Sequence, residues 1–240
     1  MADPVVSRAV LDLGVDQVRD ALLYLIAFVA SVCVHEFGHA FVADKLGDRL
    51  PRMQGRLTLS PLAHIDPLGT IVLPLAGALM PAGVPMIAWG KPVMTSPNNY
   101  TRKLSQRTGS MLVALAGPMM NLVLAVVASI VVLVAGKAGA SLVVLSGILH
   151  FGLFLNVMLM FFNLLPLGPL DGATVLAGLL PRSMEPVIEW NRRYGTLILL
   201  VLLMAPTLKL PGLAVIMSPA VRLANAWQDG LLRMVGMVAV

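Results

Sequence analysis

Charge and cysteine are what this chain has least of. Only 12% of its 240 residues are Asp, Glu, Lys or Arg. A soluble domain carries about a quarter, so an ordinary solvated surface is excluded. The one cysteine, Cys33, can form neither an internal disulfide nor a multi-thiolate metal site, and any metal here must be held by His and carboxylate. That inventory is short, with four His and three Glu. The 17 Lys and Arg stand in short clusters between apolar runs rather than along one face, so the net charge of +5 reads as a topology signal and not as a nucleic-acid surface. Internal repeats, low-complexity tracts and an appended soluble domain are also absent.

What is present is apolar sequence: 58% hydrophobic residues and a mean hydropathy of +0.87. The composition is that of a membrane protein. A hydrocarbon layer about 30 Å thick needs roughly 20 apolar helical residues to cross it. Ser110 to Gly136 and Ser141 to Leu165 meet that length and are joined by the short turn 137–140, which makes them an antiparallel pair. Ala21 to Asp44 has the length too, but carries His35, Glu36 and His39 in its second half. Thr196 to Met217 is a weaker span, broken by Pro206, Lys209 and Pro211, and the last twenty residues read as an interfacial helix. The expected fold is therefore an all-α polytopic membrane protein with four or five transmembrane helices, plus a re-entrant or β-hairpin-like segment near the active site.

Leu68 to Trp89 supplies that segment. It is long enough to span, yet Met80 to Pro85 reads as a break in its middle. The loop before it holds Lys45, Arg49, Arg52 and Arg56, and the loop after it holds Lys91, Arg102, Lys103 and Arg107. The positive-inside rule puts both loops in the cytoplasm, which a full crossing between them would forbid. Irregular backbone at membrane depth must line a cavity or be buried in protein, so a re-entrant segment should pack near a functional site. Three regions follow: 1–20, an N-terminal interfacial segment that Asp3, Asp12, Asp16 and Asp20 mark as retained rather than a cleaved signal peptide; 21–180, the core; and 181–240, C-terminal transmembrane and interfacial helices.

The chemistry lies in His35-Glu36-Phe37-Gly38-His39, an HExxH pattern. Two histidines four apart on a helix share a face and can offer two imidazoles to one metal ion. Zinc held by two His and a carboxylate keeps a fourth position for water, whose pKa falls towards ~7, and an adjacent glutamate that is not a ligand can take the proton. Three ionisable groups on one buried helix would otherwise be costly, at about 2.5 to 3.5 kcal/mol for a charge at the bilayer centre. The third ligand is open from these residues alone. Glu185 and Glu189 lie among Arg182, Arg192 and Arg193 and suit a solvated ion pair, Asp66 lies between two apolar runs, and Asp171-Gly172 reads equally as a turn.

His35 to His39, then Ala116-Gly117-Pro118-Met119-Met120-Asn121, then Asn163-Leu164-Leu165-Pro166-Leu167-Gly168-Pro169-Leu170-Asp171-Gly172 resemble, in order and pattern, the site-2 protease family of intramembrane zinc metalloproteases. The stretch Gly55 to Gly69 is similar to the small members that lack a PDZ domain. The resemblance covers about Ala21 to Leu180. It implies one Zn2+ per chain, Asp171 as the third zinc ligand, Glu36 as the general base and Asn163 near the reacting carbonyl. Implied partners are the lipid bilayer, a membrane-protein substrate with a single span and, because no PDZ filter is present, a regulatory membrane partner. The implied location is the cell membrane, multi-pass, with the active site near the cytoplasmic side.

Orientation bears on the same point. His35 and His39 fall late in their span and Asp171 follows just after its own, so the ligands meet only if the two helices run parallel, which requires an odd number of crossings between them. Asn156 and Asn163, seven apart, share a face that either lines the cavity or bonds between helices. His150 reads as a packing residue, His64 as a turn or hydrogen-bonding residue, and Cys33 as a small buried apolar residue. Gly55 to Ser60 is expected to offer a sheet edge to an extended substrate. The competing function, a membrane metal transporter or metal sensor using the same His and Asp, leaves Glu36 without a role. An inactive relative that sequesters substrates would not need every ligand position filled.

Overall fold

A computed structural model describes residues 15–79, 88–101 and 103–237. The expected break at Met80 to Pro85 and the first part of the N-terminal segment lie outside the described residues. Helix α1 is Val15–Lys45. Helix α2 begins as a π-helical turn, Pro67–Val72, and continues as Leu73–Leu79. Helix α3 is Gln106–Lys137. Helix α4 runs through Leu142–Gly147, a π-helical stretch Ile148–Phe154, and Leu155–Asn163. Helices α5 (Asp171–Leu179), α6 (Glu185–Met204) and α7 (Leu213–Met234) complete the chain. Among the described residues there is no strand.

Among the described residues, three helices are long and apolar enough to cross a membrane: Val18–Lys45, Gln106–Lys137 and Leu142–Asn163. The expected span Thr196 to Met217 is instead the junction of two helices, because Lys209 takes a left-handed backbone (φ 59°) between Pro206 and Pro211 and the chain bends by 92°. Counted as one broken span, that pair gives four crossings. The terminal helix α7 is not a separate surface element. Its Ala224 and Leu231 pack into the core formed by Ala125, Ala128 and Val132 of α3 with Leu145, Leu149, Leu153 and Val157 of α4. Large aliphatic residues on the far sides of α1 and α3, such as Leu22, Ile26, Val126, Ile130 and Val134, are exposed in the bare protein, as a surface in contact with lipid requires.

Helix α3 is the central element and packs against α1, α4 and α5. Ser105 caps its N-terminus by accepting the Thr108 N–H at 3.0 Å. Small residues let α1 and α3 approach: a Cβ at Gly38 would lie 2.8 Å from the Ala116 carbonyl oxygen and 2.7 Å from Met120 Cγ.

The α2 excursion returns to where it left. Asp66 caps α2 by accepting the Leu68 and Gly69 N–H groups. The chain re-enters beside it, with Trp89 N–H donating to the Gly69 carbonyl at 3.1 Å, the Thr70 hydroxyl to the Trp89 carbonyl at 2.7 Å, and Lys91 N–H to the His64 carbonyl at 2.9 Å. The buried Arg56 guanidinium donates to the Ala63 and Lys91 carbonyls. Residues 69 and 89 therefore sit at one level, so the chain comes back to where it left. The sheet edge expected at Gly55 to Ser60 is absent. That stretch is a turn whose Thr58 carbonyl faces the fully buried His64, with 2.9 Å between the oxygen and Nε2.

This return fixes a topological outcome. Single cysteines at Arg52 and Thr101 in a Cys33→Ala background should react with an impermeant thiol reagent from the same side of the membrane. Opposite labelling would mean that the segment between them crosses.

Candidate metal centre

His35 and His39 project from α1 one turn apart, and their Nε2 atoms lie 3.0 Å from each other. Asp171, the first residue of α5, brings Oδ2 to 3.1 Å from His35 Nε2 and 3.4 Å from His39 Nε2. The loop from Asn163 to Asp171 can turn this tightly because Gly172 has no Cβ; one would collide with the Leu164 and Leu165 carbonyl oxygens. The residue resemblance thus ends in a real cluster, and among the described residues these three are the group whose ligand atoms converge as a metal requires.

The chemistry of the donors tests the fit. His39 Nδ1 lies 2.7 Å from the Val113 backbone carbonyl, which can only accept, so Nδ1 carries the hydrogen and Nε2 presents a lone pair. His35 Nδ1 lies 2.6 Å from Asn121 Oδ1, which places its Nε2 lone pair in the same way. Two lone pairs then face each other beside a carboxylate oxygen, Asp171 Oδ2, that is buried and has no hydrogen-bond partner. Without a cation the arrangement is repulsive. Ligands on a tetrahedral zinc with bonds of ~2.0–2.1 Å stand about 3.3 Å apart, close to the 3.0–3.4 Å observed. The space is kept by Gly117 of α3, where a Cβ would come within 2.6 Å of His35 Nε2 and closer still to His39 Nε2.

Glu36 stands apart from the cluster. Its Oε2 accepts the Val93 N–H at 2.9 Å, so the limb on which the chain returns holds the carboxylate. A cavity of about 600 Å³ joins these groups and is lined by Glu36, Trp89, Val93, Asn163, Asp171 and Thr174, among others. Asn163 reaches it with its amide nitrogen donating to the Leu159 carbonyl at 2.9 Å. Tyr100 lies on the same wall, and burial pushes its phenol above the ordinary value, so it stays an un-ionised hydroxyl.

Other expected residues find other places. Asp66 is a helix cap. His150 stacks on Phe154, with ring centroids 5.7 Å apart. Glu185 pairs loosely with Arg107 at 3.7 Å. Asn156 is buried and bonds between helices, its Oδ1 accepting from Asn121 Nδ2 at 2.9 Å. Gly117 and Asn121 stood in the sequence as part of the resemblance motif without a role, and the structure supplies one for each. The Val93 N–H escaped sequence reasoning. A backbone donor leaves no trace in the sequence.

Comparison with known proteins agrees. The profile of peptidase family M50 matches residues 23–143, a stretch that contains His35, Glu36, His39 and Asn121 but ends before Asp171. YwhC of Bacillus subtilis, named as a candidate zinc metalloprotease, is 34% identical over 187 residues, covering 76% of this chain and 80% of its own. Rip2 of Mycolicibacterium smegmatis, named in the same way, is 35% identical over 197 residues, 78% of this chain and 68% of its own. No solved structure is significantly similar.

The Gly117 geometry makes a sharp prediction. Alanine is favoured over glycine inside a helix by about 1 kcal/mol, so Gly117→Ala should leave the fold intact. Its methyl occupies the space between the imidazoles, so metal analysis of the purified variant should find less than a tenth of the wild-type zinc. A normal zinc content would show that the metal lies elsewhere.

Proposed function

The chain belongs to peptidase family M50, the site-2 proteases, and from that premise we propose that it cuts a peptide bond within or beside the transmembrane segment of a single-span membrane protein, with His35, His39 and Asp171 as zinc ligands. That it is a zinc-dependent intramembrane endopeptidase follows from the family match, the metalloprotease names of its relatives and its apolar helices. The observation that carries the residue assignment is the convergence of three ligand atoms with no other means of satisfying Asp171 Oδ2.

When bound, zinc supplies Lewis acidity, polarising a carbonyl oxygen and making water acidic enough to attack near neutral pH. Glu36 takes the proton of the attacking water on its carboxylate and passes it to the departing amine nitrogen as the C–N bond breaks. One oxygen of that carboxylate is already held by the Val93 N–H, which keeps the other turned to the cavity and limits the side chain's freedom. Asn163 donates its amide to the carbonyl oxygen as negative charge builds there. The two basic loops flanking Leu68 to Trp89 favour a cytoplasmic position for this end of the bundle, in a multi-pass protein of the cell membrane. A regulatory membrane partner would take the place of a PDZ filter. The transport reading is not supported: the relatives are named as metalloproteases, and a transporter has no use for Glu36.

Glu36→Gln separates the chemistry from the metal. The variant should keep one zinc per chain and lose cleavage of a single-span test protein by about 10²–10⁴-fold. Neither protein should move zinc across vesicles. Equal cleavage by both, or zinc flux from both, would overturn the assignment of Glu36 as the base.

A further inference from the structure

A buried chain of two amides runs from the π-helical stretch of α4 to His35. Gly152 lies in that stretch, and a Cβ there would stand 2.7 Å from Ala128 Cβ, so its absence lets α4 press against α3. The close approach brings Asn156 to Asn121, which is fully buried. Each amide has an acceptor end and a donor end, and which way it points can be worked out from a fixed point. That point is the Gly152 carbonyl, which can only accept. Asn156 must turn Nδ2 towards it, and does so at 2.8 Å. Its Oδ1 therefore faces Asn121, which turns Nδ2 to meet it at 2.9 Å, with the Ser31 carbonyl as a second acceptor at 3.4 Å. Asn121 is left with Oδ1 towards His35. The imidazole must donate from Nδ1, and Nε2 is left as a lone pair.

We propose that Asn121 and Asn156 are positioning residues that hold His35 in its metal-binding tautomer, with Asn156 acting through Asn121 and without touching the histidine. This rests on the assignment of His35 as a zinc ligand. His39 needs no such relay, because a backbone carbonyl already dictates its tautomer. His35 faces a side-chain amide instead, and a free amide could turn over, offer Nδ2 to Nδ1 and force the hydrogen onto Nε2, where it blocks the metal. The second amide removes that freedom. The π-helical stretch sets the angle at which α4 presents Asn156, and is itself held by α7, whose Gln228 amide donates to the Leu149 carbonyl at 2.9 Å.

The test compares zinc release to a chromogenic chelator from purified wild type, Asn121→Leu, Asn156→Leu, Asn121→Asp and Asn156→Asp, with circular dichroism to report the fold and the visible spectrum of the cobalt(II)-loaded form to report ligand geometry. Leu keeps the volume and removes both polar ends. Asp in its neutral, protonated form keeps an oxygen acceptor facing along the chain and puts an O–H donor in place of Nδ2. The two Leu variants should lose zinc affinity about 10–100-fold and show a changed cobalt spectrum, while the two Asp variants stay within a few-fold of wild type. If Asn156→Leu holds zinc normally, or if Asn156→Asp loses it as severely as Asn156→Leu, the relay is wrong and the pair serves packing alone. Should Asn156→Leu fail to fold, Asn156→Asp decides by itself, and must be close to wild type. His35→Ala is the control for the underlying assignment: full zinc retention there would refute the ligand set, whatever the amides do.

Discussion

Two imidazole lone pairs and one carboxylate oxygen are forced to within 3.0–3.4 Å of each other inside an apolar bundle, and only a cation reconciles them. Helix α3 and the Asn163–Asp171 loop cover the imidazoles on two sides, and the cluster meets the cavity on another. In a low-dielectric interior such a cluster is unfavourable without a counter-charge, which a divalent ion supplies. The small residues follow from this requirement. Gly117 leaves room for the ion, Gly38 lets α1 reach α3 so that both imidazoles find their Nδ1 partners, and Gly172 lets the chain turn so that Asp171 arrives at the same depth. Each is a place where one methyl group would cost the site a component.

The Glu36 carboxylate is governed by a different part of the chain. It is tied to Val93, and Val93 belongs to an irregular limb without secondary structure of its own. Such a limb is tolerable at membrane depth only if its backbone groups find partners. Gly69, Thr70, His64 and Arg56 supply them on the incoming side. At the other end the fully buried Asp48 accepts the Ser96 N–H at 2.6 Å and the Asn99 amide at 2.8 Å, while Thr101 N–H bonds to the Leu46 carbonyl at 2.6 Å. The limb is thus stapled at both ends to the turns that follow α1. Its middle is left to line the cavity.

Sequence reasoning reached the parts of this arrangement that are local. HExxH needs only helical periodicity to put two imidazoles on one face, and the lengths of Ser110 to Gly136 and Ser141 to Leu165 need only hydropathy; both helices lie where expected, to within a few residues. The return of the chain beside Gly69 was legible because charge on the two flanks of Leu68 to Trp89 contradicts a crossing. Asp171 was harder: from composition it was one carboxylate among several, and the family pattern and the parity of crossings were needed to single it out. The bend at Lys209 was read as a weakened span because prolines interrupt the pattern, but the 92° angle comes from a left-handed residue that hydropathy does not register. The supposed edge at Gly55 to Ser60 failed for a related reason. The residues curl so that Thr58 can meet His64, and the irregular backbone that lines the site comes from 88–96 instead.

One turn of α-helix with its side chains is a cylinder 10–12 Å across and 5.4 Å high, roughly 400–600 Å³, the same scale as the cavity of about 600 Å³. An intact helix also hides its carbonyls in the i to i+4 ladder, where neither Asn163 nor a metal ion could reach them. On the proposed protease reading, the stretch that reacts has therefore to leave the helical state first. Losing one turn inside a bilayer exposes about four carbonyls and four N–H groups that lipid cannot satisfy. The irregular limb 88–96, which has no strand partner among the described residues, lines the cavity and offers backbone groups there. Selectivity then rests less on side-chain fit than on which segments can afford to unwind there, and proline and glycine in a candidate segment lower that cost before the protease is met.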